Sequence, residues 1–180
     1  MRRLVYALLL GLVGAGIVHI AMLLLLPAFS ENNVWSRIAS ASDVYEPVRL
    51  DGPGIAGVAV GDPDPLFRIV SCRFNLADGV VRVRADGAAP FWSASIYDRT
   101  GANIYSFNDR TSATGALDFV VLTPSQTIEV RKDIPEELKE SNFIETDATE
   151  GVAVVRAFVP DETWSPQIDA FLDGLSCRPV

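Results

Sequence analysis

Phe67-Arg68-Ile69-Val70-Ser71-Cys72-Arg73-Phe74-Asn75 decides the fold class, because Val70, Cys72 and Phe74 alternate with Ser71, Arg73 and Asn75. A period of two places apolar side chains on one face of a β-strand and polar ones on the other. Val80 to Ala85 repeats the pattern, with Val81, Val83 and Ala85 set against Arg82 and Arg84. Ala77-Asp78-Gly79 supplies turn chemistry between the two runs, which are therefore expected to pair as a hairpin. Phe91 to Tyr97 and Asn103 to Phe107 flank Asp98-Arg99-Thr100-Gly101. Gly101 can take the positive φ of a hairpin loop, so a second hairpin is expected there. Leu117 to Leu122, Thr127 to Arg131 after a Thr123-Pro124-Ser125-Gln126 turn, and Gly151 to Val159 bring the total to about seven strands. Asp133 to Asn142 is charged and interrupted by proline, and reads as a solvated loop or short helix. Near the end, Ser165 is a helix cap and Pro166 a first helical residue, and Ile168, Phe171, Leu172 and Leu175 form one stripe. The expected fold is mainly β: an antiparallel β-sandwich or partly closed barrel covered by a C-terminal amphipathic helix.

Upstream, the 23 residues from Leu4 to Leu26 carry no charge. As a helix they span about 34 Å at about 1.5 Å per residue, enough for a hydrocarbon core about 30 Å thick. Arg2 and Arg3 precede the run and the next charge is Glu31, so the positive-inside bias predicts a cytoplasmic N-terminus, an inner-membrane anchor and an exported, periplasmic remainder. Ala28-Phe29-Ser30 has the small residues of a signal-peptidase site, the competing reading. The apolar run exceeds the usual 7 to 15 residues or so of a cleaved signal, which favours a retained anchor. Ala7, Gly11, Ala15 and His19 recur every four residues. They share a face that either admits a partner helix, including a second copy of this one, or reflects the ordinary frequency of small residues in membrane helices. The expected organisation is a tip and anchor over 1–30, a linker over 31–65 and an exported β-rich domain over 66–180. The 31–65 segment holds a short helix from Val34 to Ala41, with Asn32 and Asn33 as caps, that either packs on the domain or rests at the membrane surface, and a Gly/Pro-rich loop from Asp51 to Pro65.

Charge and side-chain inventory narrow the function. After the anchor the chain carries 13 Lys/Arg (15 less Arg2 and Arg3) against 23 Asp/Glu, a net charge of -10. No basic stripe interrupts this acidity, so nucleic acid is not an expected partner. His19 is the single histidine and belongs to the anchor, which removes Ser-His-Asp and Cys-His machinery and histidine-bound zinc from the domain. Asp62 and Asp64 in Asp-Pro-Asp-Pro are either ligands for a hard cation or turn residues, and the spacing lacks the glycine and distal Glu of a calcium loop. Neither a metal nor a cofactor is expected. Cys72 and Cys177, the two cysteines, either form a disulfide in an oxidising compartment or remain free thiols. The densest mixture of aromatic and polar groups comprises Trp92, Tyr97, Asp98, Arg99, Tyr105, Asn108, Asp109 and Arg110. Paired strands are expected to bring Tyr97 near Tyr105 and to gather the charged groups about one end of the hairpin, as a ligand or partner surface or as aromatic core beside a salt-bridged turn.

Several short runs together resemble a known family. They are Met1-Arg2-Arg3 with the long anchor, Asp64-Pro65-Leu66-Phe67, Cys72-Arg73-Phe74, Pro90-Phe91-Trp92-Ser93 with Tyr97-Asp98-Arg99, Tyr105-Ser106-Phe107-Asn108-Asp109-Arg110, and Val155-Arg156-Ala157-Phe158-Val159-Pro160-Asp161. The chain resembles the small single-anchor envelope proteins of Gram-negative bacteria that carry the domain of unknown function twelve fifty-four (DUF1254). The resemblance implies an exported β-rich domain without an established activity, and a sister envelope protein of related topology as partner. The expected function is that of a non-enzymatic, inner-membrane-anchored periplasmic protein that binds a partner protein or envelope component. The alternatives are a small-ligand-binding module and a carboxylate-dependent hydrolase.

Overall fold

The structure, a computed structural model, describes residues 2–29, 34–51, 64–112 and 114–180. The chain divides into two units, Met1–Asn33 and Val34–Val180. The first is helix α1 (Arg2–Phe29). Its stretch Arg2–Leu25 contains an 18-residue window of mean hydropathy 2.5 and is long and apolar enough to cross a membrane, the composition of a membrane anchor or of a signal sequence. Ala7, Gly11, Ala15 and His19 lie along it at one-turn spacing, all exposed. Ser30 of the peptidase-like site, the capping residues Asn32 and Asn33, and Asp62 lie outside the described residues, as does most of the Gly/Pro-rich stretch.

The second unit comprises α2 (Val34–Ala41), β1 (Val48–Arg49), β2 (Phe67–Asn75), β3 (Val81–Ala85), β4 (Trp92–Asp98), β5 (Asn103–Asn108), β6 (Leu117–Leu122), α3 (Pro124–Lys132), β7 (Asn142–Glu145), β8 (Glu150–Phe158), α4 (Ser165–Asp173) and β9 (Ser176–Pro179). The strands form a five-stranded sheet in the order β1-β2-β8-β4-β5 and a four-stranded sheet in the order β7-β6-β3-β9. All pairings are antiparallel except β6 with β7. The expected sandwich is therefore present, with the C-terminal helix.

Alternation in β2 does what the pattern requires. Val70, Cys72 and Phe74 face the core opposite Val155, Ala153 and Gly151 of β8. On the other side of β8, Ala94 and Ile96 of β4 meet the same Val155 and Ala153. Val81, Val83, Phe119, Val121 and Cys177 of the second sheet complete the interior, and Ile168, Phe171 and Leu172 of α4 pack into it. Gly151 has a local reason: a Cβ there would lie 2.5 Å from Phe74 Cζ and 2.6 Å from the Tyr97 carbonyl oxygen. The glycine lets the Phe74 ring lie across the β8 backbone.

Both outer faces are partly covered. Ile38 of α2 is 1% exposed against Val152 and Val154 of β8, a burial that contributes about 1.5–3 kcal/mol. Leu138, in a short 3-10 turn (Glu136–Leu138), is fully buried against Val80, Val120 and Leu122. Cys72 and Cys177 form a disulfide with Cα atoms 6.5 Å apart, which joins β2 of one sheet to β9 of the other.

Three expectations are corrected. The runs around β2 and β3 do not form a hairpin: the turn at Ala77-Asp78-Gly79 carries the chain from one sheet to the other, and β3 pairs with β6 and β9. Thr127 to Arg131 is helical, because Thr123 is not a turn residue but an N-cap. Its Oγ1 accepts from the Gln126 N–H at 3.3 Å, the Gln126 side chain accepts from the Thr123 N–H at 2.9 Å, and Pro124 opens the helix. The count of about seven strands becomes nine among the described residues, through the short β1, β7 and β9. Of the two placements expected for the short helix the structure has the first, since α2 packs on the five-stranded sheet, and β1 is one strand of that sheet.

Candidate functional site

The β4–β5 hairpin and the 3-10 turn that follows it carry the aromatic and polar candidates, and a bulge decides where the two tyrosines point. Tyr97 pairs with Asn103 while Ile96 pairs with Tyr105, so Ile104 is an extra residue on β5. Such an insertion turns the following side chains to the other face. Tyr105 therefore lies on the core side of the sheet at its open edge, 51% exposed, with its ring 5.9 Å from that of Phe107. Tyr97 lies on the outer side, against the cluster around Ile38. The expected Tyr97–Tyr105 wall does not form.

Trp92 is a core residue, 1% exposed. Its ring meets Phe107 edge-on at 5.8 Å, and Phe107 meets Phe119 likewise at 5.2 Å. Its indole Nε1 donates to the Gly115 carbonyl at 2.9 Å. The aromatic row fills the space between the sheets.

The charged candidates separate to the two ends of the hairpin. At the turn, Asp98 Oδ1 accepts from the Thr100 N–H, the Thr100 hydroxyl and the Ala102 N–H at 2.8, 2.6 and 2.9 Å. These bonds, the Thr100 hydroxyl foremost, hold its carboxyl below the usual range. Arg99 pairs with Glu150 at 3.0 Å and lies 5.8 Å from the centre of the Trp35 ring, which also receives Arg73 at 4.9 Å. Arg73 Nη1 further donates to the Ser42 carbonyl at 3.1 Å, so this cation–π group ties α2 to the sheet. At the other end, Asn108 Oδ1 accepts from the Arg110 N–H at 3.1 Å and caps a 3-10 turn over Asp109–Thr111. Asp109 Oδ1 is buried with no hydrogen-bond partner, and Arg110 is exposed.

The outer face of the hairpin holds a polar network that pattern reading missed. Ser106 donates to Ser95 at 2.9 Å, and Asn103 Nδ2 donates to Ser106 at 2.9 Å. Burial raises the Tyr97 hydroxyl, but hydrogen bonds with Arg156, Ser95 and Asn103 outweigh it and bring the group below its ordinary value. At the turn after β2, the Tyr45 hydroxyl lies 2.7 Å from both the Asn75 carbonyl and Asp78 Oδ2. Burial and the Asp78 carboxylate push it up to about 12.

Two further polar groups lie elsewhere. A groove of about 350 Å³ on the four-stranded sheet is lined by Arg82, Arg84, Asp86, Asp118, Glu137 and Glu140 among others. Arg82 Nε and Nη2 donate to the two oxygens of Asp118 at 3.0 and 2.6 Å, and Ser141 donates to Asp118 at 2.7 Å. Hydrogen bonding to Asp118 raises the guanidinium, against its burial. Both Asp118 oxygens are thus engaged in a structural pair. On the five-stranded sheet, Arg49 binds Asp51 in bidentate fashion at 3.0 and 2.9 Å and reaches Asp169 at 2.8 Å and Asp173 at 3.1 Å on α4. Burial alone would raise Asp51, and Arg49 more than reverses this, so its carboxyl is lowered. Among the described residues no group of three or more His, Cys, Asp or Glu side chains is placed to hold a metal ion. Asp64 Oδ1 accepts from the Leu66 N–H at 2.9 Å, a turn contact.

A family model described as protein of unknown function (DUF1254) matches residues 59–179. No curated protein matches the chain. Among solved structures, the VPA0106 protein from Vibrio parahaemolyticus shares the fold at a TM-score of 0.59 and 12% identity, over 83% of this chain and 35% of that one. An uncharacterized protein from Burkholderia cenocepacia aligns at a TM-score of 0.46 and 14% identity, over 76% of this chain and 38% of that one. The chain thus spans little more than a third of the length of either.

Proposed function

This chain belongs to the DUF1254 family of proteins of unknown function, and from that premise we propose that it is a non-enzymatic, inner-membrane-anchored protein of the bacterial cell envelope that binds a partner protein. The filled interior carries this reading. The aromatic row of Trp92, Phe107 and Phe119 occupies the space between the sheets, while the polar candidates spread over open surface at both ends of β4 and β5. Such a surface suits a macromolecular partner better than a small substrate, which needs convergent groups in a concavity.

Location follows from α1 and its flanks. Arg2 and Arg3 before the apolar stretch favour a cytoplasmic N-terminus and a periplasmic body. The Cys72–Cys177 bridge suits that compartment, where disulfides persist. A sister envelope protein is the partner we favour. In the Vibrio protein the matched region is 35% of the chain, so there the same fold works beside a larger mass of protein.

The test has two arms. Ser125, exposed at the start of α3, is replaced by Cys and probed in intact spheroplasts with a membrane-impermeant maleimide; labelling only after lysis overturns the orientation. The tagged full-length protein is then extracted in several mild detergents and isolated. Recovery with a second protein in constant ratio is expected, and recovery alone in every detergent rejects partner binding. The gel mass also reports on the anchor, since a product beginning near Glu31 identifies a cleaved signal.

A further inference from the structure

Sheet edges present unpaired backbone donors and acceptors, and proteins shorten, charge or cover them. Among the described residues β1 has two residues, β7 has four and ends at Glu145, and β9 has four and ends in Arg178-Pro179. β5 is different. Asn103-Ile104-Tyr105-Ser106-Phe107-Asn108 contains no charge and no proline and lies at the outer edge of the five-stranded sheet. Beyond its ladder with β4, no backbone–backbone hydrogen bond involves residues 103–108 among the described residues, and only at its end does the Asn108 carbonyl accept from the Thr111 hydroxyl, at 2.6 Å.

We propose that β5 pairs antiparallel with β5 of a second copy of this chain, extending the five-stranded sheet across a twofold axis at Ser106. The proposal rests on the binding role argued above and names an occupant for this edge. Three observations select a second copy. The first is charge: the chain beyond the anchor has 13 basic and 23 acidic residues, so two copies repel over most of their surface. From Asp98 to Arg110, however, the charged residues are Asp98, Arg99, Asp109 and Arg110, which balance. The second is register. An axis at Ser106 places Tyr105 of each copy directly opposite Phe107 of the other, two aromatic pairs on the core side. Tyr105 is half-exposed and already touches its own Phe107, so the second copy extends the aromatic row. The third is economy of bonding, since one isologous contact satisfies the free edge groups of both strands together.

Disulfide trapping in the full-length, membrane-embedded protein tests this. At the axis the two Ser106 Cα atoms would lie about 4.5–5.5 Å apart, within disulfide reach. Asn103, three residues from the axis, would lie about 20 Å from its counterpart at about 3.3 Å per residue. Mild oxidation of S106C is expected to give a reducible band at twice the chain mass, and N103C several-fold less. Adding Y105K to S106C is expected to remove the band while the thermal unfolding of the body is unchanged, because that ring is half in solvent. Equal trapping of N103C and S106C overturns the register and with it the proposal. Trapping of S106C only to other proteins overturns self-pairing but leaves the binding role intact. Absence of any adduct, with the thiol shown reactive to maleimide, overturns pairing at this edge, and the binding role is then decided by the extraction experiment.

Discussion

Cutting the covalent link between the two sheets is expected to remove much of the stability of the body. Cys72 and Cys177 are separated by 105 residues, and in the chain-entropy model the bridge removes about 16 cal/mol/K from the unfolded chain, or about 4.8 kcal/mol at 25 °C. The sulfurs also fill the core, the residues being 1% and 5% exposed. Deleting both in C72A/C177A costs roughly a further 0.8 kcal/mol each, on the scale of a buried methylene. The sum of about 6 kcal/mol is a large share of the 5–15 kcal/mol or so that holds a domain folded. It corresponds to a fall in Tm of about 12–24 °C for a body of this size. Tryptophan fluorescence of the full-length protein in mild detergent is a clean probe, because Trp35, Trp92 and Trp164 all lie beyond α1. Urea unfolding of the oxidised protein, the reduced protein and C72A/C177A separates the terms, since reduction cuts the link and keeps the sulfurs. Stability of the reduced protein within about 1 kcal/mol of the oxidised form would refute the reasoning.

The buried pair on the four-stranded sheet should be costly to break on one side. D118N leaves Arg82, itself 7% exposed, with only the looser Glu137 contact at 3.7 Å, and urea unfolding should show a loss toward the lower end of about 3–5 kcal/mol. R82M/D118L should recover most of it, and no recovery means the charge pair is not the source. G151A drives a methyl into Phe74 and the Tyr97 carbonyl at a cost of about 1–3 kcal/mol; the cost should shrink in an F74L background, and a strictly additive double mutant contradicts the clash. Asp51 sets an acid dependence. Its folded-state carboxyl is lowered by Arg49, so its contribution is present above the unfolded value of about 3.9 and is lost as pH falls through the folded one. D51N should be less stable than the parent near neutrality and should converge with it in acid, and a gap that persists in acid rejects the linkage.

What could be read from the sequence depended on whether local pattern and tertiary pairing agreed. β2 alternates because one of its faces meets the core, and the stripe of α4 is visible for the same reason, whereas β8 reads as a continuous apolar run because both of its faces are covered. α3 is hidden from the pattern because Thr127-Ile128-Glu129-Val130 alternates like a strand, while the Thr123/Gln126 capping box has the residues of a turn. Ala77-Asp78-Gly79 looks the same in a hairpin and in a corner between sheets, since turn residues report local φ and not the strand's next neighbour. At the site the failure reduces to Ile104. Without this extra residue, Tyr97 opposite Asn103 would imply Ser95 opposite Tyr105, with both tyrosines on one face. One bulged residue reverses that, and nothing in the periodicity marks it.

β8 is the middle strand of the five-stranded sheet, with β1 and β2 on one flank and β4 and β5 on the other. It is also the last strand of that sheet to be synthesised: Val155 pairs with Val70 but leaves the ribosome 85 residues later, about 4–17 s at about 5–20 residues per second. A nascent chain that stops before Glu150 holds four of the five strands and lacks the one on which both halves meet. The two flanks must therefore wait, apolar faces unpaired, until Glu150–Phe158 has been made, so this sheet closes only after every other strand in it already exists.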